Sequence, residues 1–172
     1  FSKSSSIFSY DKLIFFNNYY IKNDNKFVKL LNYFKNYNIL TNYLNADLEK
    51  FKRVFFIYKK NLNFYKDLDN ICPFYFEKNY YTKKNNLLDN SFNSLIKDFI
   101  LIIENLDNWE IENLEKSVED FINSKKIKFI LLGKPLRLVL INSENGPSIS
   151  DILYILGKKN SILRIKNYIN TI

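Results

Sequence analysis

The 172-residue sequence has no histidine, no methionine and a single cysteine, Cys72. Without histidine, Ser4, Ser5 and Ser6 have no base partner for nucleophilic catalysis, and no imidazole is available to bind a metal. One cysteine excludes an internal disulfide and a multi-cysteine zinc site. It suits a reducing compartment, so a cytoplasmic location is expected, or an organelle if a targeting segment lies upstream. The missing methionine, absent even at residue 1, predicts a piece of a longer protein. Apolar runs such as residues 99–103 are too short to span a bilayer. No signal-peptide layout follows Phe1. Gly133-Lys134 and Gly157-Lys158 lack the second glycine upstream and the Ser/Thr downstream of a phosphate loop. The acids between Glu104 and Asp120 fall on polar helix faces, where solvation accounts for them better than acid–base work. No catalytic, cofactor or metal site is therefore expected in this chain.

What is abundant is aromatic and basic. Phe, Tyr and Trp make up 17% of the chain, and the formal net charge is +8. The aromatics, and part of the lysine content, are the composition expected from AT-rich codons. The placement of charge says more. Residues 1–84 carry 15 Lys/Arg against 7 Asp/Glu, residues 85–124 carry 2 against 9, and residues 125–172 carry 9 against 2. Two basic ends around an acidic middle favour a polyanionic partner.

Apolar spacing of three and four residues runs through the sequence, and no alternating strand pattern competes with it. A helix over Tyr10–Tyr20 is expected to pack through Tyr10, Leu13, Asn17 and Tyr20. Asn25 is placed to cap a second helix carrying Phe27, Leu30, Leu31 and Phe34. A third, after Thr41–Asp47, buries Leu48, Phe51, Phe55, Tyr58 and Leu62. Its opposite face shows Lys52, Arg53, Phe56, Lys59 and Lys60, read either as a solvated face or as a phosphate-backbone contact. Pro73 should break or start a helix. The polar stretch 79–86 is read as the boundary between two small helical subdomains, 1–84 and 85–172. Beyond it, Ser91 caps a long helix with Phe92, Leu95, Ile96, Phe99, Ile102, Ile103 and Leu106 on one face, another carries Ile111, Leu114, Val118, Phe121 and Ile122 inward, and Asn160 caps a last helix bearing Ile162, Ile165 and Ile169. Pro147 is expected at the first position of a helix bearing Ile149, Ile152, Leu153 and Leu156, closed by Gly157.

The Lys134–Lys158 stretch also carries a resemblance. Pro135-Leu136-Arg137, an apolar run, Pro147, and Leu156-Gly157-Lys158 stand in the order found in the anticodon-binding region of bacterial-type glutamyl-tRNA synthetases. Ile7-Phe8, Asp11-Lys12-Leu13, Asn17 and Tyr20-Ile21-Lys22 extend it upstream; Lys66-Asp67-Leu68, Phe74-Tyr75-Phe76 and Trp109, Glu112, Leu114 and Glu115 extend it between. Asn18 stands for a usual glycine, Glu110 for a threonine, and Ile141-Asn142 for Thr-Gly. The resemblance implies the all-α, two-subdomain anticodon-binding helical cage of a class I synthetase. It implies a monomer, no membrane, and tRNA(Glu) as partner, with tRNA(Gln) left open. Anticodon contacts would come from Arg137, Gly146, Pro147, Ile149 and Leu136, and backbone contacts from Lys52, Arg53, Lys59, Lys60, Lys134 and Lys158. Asn61 falls near a position where many glutamate-specific members carry an anticodon-reading arginine. ATP and Mg belong to the catalytic half, which is missing here. Chemically, Arg137 suits unpaired bases, because a guanidinium both stacks and donates parallel hydrogen bonds. The alternative reading is a helical protein-interaction domain, or a decayed remnant, without RNA specificity.

Overall fold

The computed structural model describes residues 9–24, 27–38, 40–77 and 90–171, which are helical throughout with no strand among them. The helices are α1 (Tyr10–Asn23), α2 (Phe27–Asn36), α3 (Thr41–Ala46), α4 (Leu48–Tyr58), α5 (Leu68–Phe76), α6 (Asn90–Glu104), α7 (Ile111–Lys125), α8 (Ile130–Ile141) and α9 (Ile149–Ile169). Short 3₁₀ turns at Lys59–Asn61 and Tyr65–Asp67 link α4 to α5. The chain forms two compact units, Phe1–Pro73 and Phe74–Ile172. The boundary read from sequence, together with the 79–86 connector, lies outside the described residues, as does Asn25.

In the first unit, Phe34, Phe51, Val54, Phe55, Leu62 and Leu68 are buried, and Phe34 meets Phe51 edge-on with ring centroids 5.7 Å apart. Asp47 starts α4 by accepting from Lys50 N at 2.9 Å. Leu48, expected inside, is on the exposed side. The packed face of α1 also differs from the expected one. Tyr10, Leu13 and Tyr20 are exposed, and Ile21 is the residue buried. Two amides decide this. Asn18 donates to Leu62 O at 2.7 Å and Asn17 donates to Asn63 O, so the asparagine side faces the 3₁₀ segment and turns the aromatics outward. Asn18 is helical here, so the left-handed conformation a glycine would favour is not needed. Pro73 lies inside α5, three residues before its end, so it neither starts nor stops that helix.

In the second unit α9 packs against α6, α7 and α8. α6 begins one residue before the expected cap, at Asn90, and buries Phe92, Ile96, Phe99 and Ile103, whereas Ile102, expected on the same face, is exposed. α7 buries Leu114, Val118 and Phe121. α8 is apolar on most sides: Leu132, Leu136, Leu138, Val139, Leu140 and Ile141 are all buried. Gly157, at φ +76°, bends α9 where a residue with a side chain would be strained, and so ends the first helical stretch as its sequence position suggests.

Arg164 is buried on α9. It donates through Nη1 to Phe74 O at 2.7 Å and also to Leu140 O, satisfying carbonyls at the last turns of α5 and α8. Arg164→Met leaves both carbonyls buried without that donor. Urea denaturation should show a loss of about 2–4 kcal/mol.

Two acids resist ionisation. Burial, then the Asp69 charge, pushes the Cys72 thiol from 9.0 up to about 12. Burial, then the Asp24 charge and a hydrogen bond to Asp24, raises the Tyr65 phenol from 10.0 to about 12. Both hold their protons more tightly folded than unfolded. Stability is therefore unaffected by them below about pH 9, and falls as pH rises from 9 towards 12. Thermal melts across that range should show the decline, and replacing Cys72 with Val should remove part of it.

Candidate nucleic-acid interface

The corner between α8 and α9 is built from local rules. Ser148 accepts from Asp151 N at 3.0 Å and donates to the Asp151 carboxylate at 2.7 Å. α9 therefore starts at Ile149 with Ser148 as its cap, and Pro147 lies two residues before the first helical position, the place expected for it. Ser148 also lies 2.9 Å from the buried Ser150 hydroxyl. Part of the helix start is thus capped internally.

Arg137 is partly exposed near the end of α8. Its Nε donates to Pro147 O at 2.8 Å, tying the helix to the corner. Its guanidinium lies 5.6 Å from the centroid of the Phe129 ring. Phe129 precedes α8, and its ring is accommodated over Gly133 because that residue has no side chain. Phe129, Gly133 and Arg137 thus share one face at four-residue spacing.

Two clefts open beside this face. One, of about 360 Å³, is lined by Phe129, Ile130, Lys134, Arg137, Glu144, Asn145 and Gly146. The other, of about 380 Å³, is lined by Glu115, Val118, Glu119, Ile122, Phe129, Ser148, Ile149 and Ser150. Both are at the small end of ligand clefts, with apolar walls and a few polar groups. Lys134 is exposed on the first cleft and lies 3.8 Å from Glu144, and Lys126 and Lys128 are exposed in the segment just before Phe129.

The residues expected to touch RNA separate into two groups. Arg137, Gly146 and Pro147 come together, and Lys134 joins them. Leu136 does not: at 0% exposure it is a core residue, because the turn that points Arg137 outward points Leu136 into the helix pack. Ile149, 1% exposed, forms part of the floor of the second cleft and is otherwise core. Lys158 donates to Leu106 O at 2.7 Å, capping the segment after α6 instead of offering its charge to a phosphate. In the first unit Lys59, only 9% exposed, donates to Asp24 O at 3.1 Å and lies over the Phe56 ring. The 3₁₀ turn after Tyr58 rotates it off the basic face and onto the C-terminal end of α1, where a cation is favoured. Arg53 and Lys60 remain exposed, while Lys52 is half-buried beside Glu49. Asn61 is exposed and lines a shallow opening with Asn18 and Asn63.

Sequence reasoning passed over Phe129, Gly133, Glu144 and the lysines of residues 125–128. The one available signal was the four-residue spacing from Phe129 through Gly133 to Arg137. The division among the lysines is measurable: Lys158→Met should cost about 1–2 kcal/mol in a denaturation titration through loss of its cap. Lys134→Met should stay within about 0.5 kcal/mol, because its ion pair is solvent-exposed.

Known proteins resemble this chain along nearly its whole length. Glutamate–tRNA ligase of Mycoplasma mycoides subsp. mycoides is 30% identical over 167 residues, covering 92% of this chain and 34% of that protein. Glutamate–tRNA ligase of Buchnera aphidicola subsp. Cinara cedri is 30% identical over 173 residues, covering 98% of this chain and 36% of that protein. The crystal structure of a glutamate tRNA ligase from Elizabethkingia meningosepticum, in complex with its amino acid, superposes with a TM-score of 0.82. Its identity is 25%, with 98% of this chain and 34% of that one covered. The chain thus spans about a third of the length of the relatives it matches. Residues 26–169 match the family described as the anticodon binding domain, and the chain belongs to that family.

Proposed function

We propose that this chain is the tRNA-reading portion of a glutamate–tRNA ligase. In that reading it holds the anticodon loop of a glutamate tRNA in the second unit. The observation that carries it is the cleft beside Arg137, where a planar ring and a guanidinium adjoin exposed lysines. Unpaired RNA bases are recognised by stacking and by hydrogen bonds to their edges, while cations track the phosphates. Arg137 supplies the planar cation, and its bond to Pro147 holds it in place. Lys126, Lys128 and Lys134 supply the electrostatic rim. Ligation of glutamate with ATP and Mg falls to a portion of the protein that this chain does not include. The chain itself binds and orients. A monomer in the cytoplasm fits that role.

Two features bear on discrimination between glutamate and glutamine tRNAs. Asn61 brings an amide to its position, with fewer donors and no charge compared with an arginine. Lys60 is exposed beside it.

A filter-binding titration of the 172-residue chain with a glutamate-tRNA anticodon stem-loop tests the reading. Three lysine–phosphate contacts predict a slope of about −2 in log K against log salt. Arg137→Ala should weaken binding about tenfold or more while lowering the melting temperature by only a few degrees, through loss of the bond to Pro147. Absence of RNA binding by the parent chain would reject the reading and favour a protein-interaction domain.

A further inference from the structure

Phe129 belongs to both clefts of the second unit. It is 43% exposed, so its ring stands between them as a partition and not as part of the core. Gly133 sets the partition's position: a Cβ there would lie 2.5 Å from Phe129 Cε1 and 2.6 Å from Cζ. The ring can rest on the helix backbone only because residue 133 has no side chain. Arg137, one turn further on, braces the ring with its guanidinium 5.6 Å from the centroid.

The two sides of the partition differ in charge. On one side Lys134 and Arg137 offer donors, and Glu144 offers an acceptor. On the other, Glu115 and Glu119 join Ser148. Those carboxylates repel phosphate but can accept hydrogen bonds from the amino and imino groups of a base. The basic side is therefore where the RNA backbone runs, and the acidic side accepts a base alone.

Resting on the RNA-binding reading above, we infer that the Phe129 ring is a wedge that parts two successive unpaired bases and seats one in each cleft. Gly133 is the positioning residue that lets the wedge stand there. Parting adjacent bases abolishes their mutual stacking and replaces it with stacking on the ring.

The test uses an anticodon stem-loop with two adjacent 2-aminopurines, moved in register along the unpaired loop. Stacked neighbours give an exciton-coupled circular dichroism band at wavelengths where the protein is silent. With the parent chain, that band should vanish at one register on binding. Phe129→Ala should bind about tenfold more weakly, as expected for loss of base–aromatic stacking, and should leave the band in place. Gly133→Ala should keep or raise the melting temperature, since alanine favours helix, yet displace the ring and restore the band. A purely structural role for Phe129 would move the melting temperature and not the band. If the parent chain binds the stem-loop but the band persists at every register, the wedge is overturned while the RNA-binding reading stands. Both also fail separately: if both variants bind and remove the band as the parent does, Phe129 is not the wedge. No binding by the parent chain overturns both.

Discussion

Burial of α8 is the constraint from which the second unit follows. A helix with Leu136, Leu138, Val139, Leu140 and Ile141 close together has little polar surface to give to water, and α9 and α6 cover it. Each such side chain contributes about 1.5–3 kcal/mol on burial. What α8 leaves uncovered is limited to its first turns and the side bearing Lys134 and Arg137. That exposed strip is where the clefts lie. The rigidity of the site is thus inherited from the core beneath it, and Arg164 reinforces that core by capping the end of the same helix.

The electrostatics of the site come from chain order as much as from individual contacts. α7 is acidic along its exposed side, with Glu112, Glu115, Glu119 and Asp120. The turn that follows it is basic, with Lys126 and Lys128. Glu115 and Glu119 line one cleft beside Phe129, and Lys134 and Arg137 line the other. Arg137 is kept in its place by the Pro147 carbonyl and the Phe129 ring together, so less ordering is required of it when a ligand arrives.

Helical spacing alone located most of the elements because their buried faces are dense. Phe92, Ile96, Phe99 and Ile103 on α6, and Leu114, Val118 and Phe121 on α7, repeat at three and four residues and are buried as that repeat implies. On α1 hydrophobicity and burial part company: aromatics outnumber aliphatics there, yet Tyr10, Phe15, Phe16, Tyr19 and Tyr20 are all exposed. Asn17 and Asn18 form hydrogen bonds to backbone carbonyls some forty residues away, and no local pattern announces such bonds. Pro73 lies inside α5, a helix in which Leu68, Cys72 and Tyr75 are buried, although the local rule about its missing N–H favours a helix boundary.

Read by itself, the order of residues determined that the chain is helical and predicted that Arg137 and Pro147 lie close together. Those conclusions rest on short-range periodicity and on a motif of fixed spacing. Tertiary structure decided which cations face outward. Lys59 and Lys158 look like any other lysine in the sequence, but each ends at a backbone carbonyl brought to it by a distant segment, Asp24 in one case and Leu106 in the other. It also decided that Phe129 stands between two clefts. That placement depends on α7, the α8–α9 corner and Gly133 meeting in space, and a one-dimensional pattern carries no record of where a chain returns to itself.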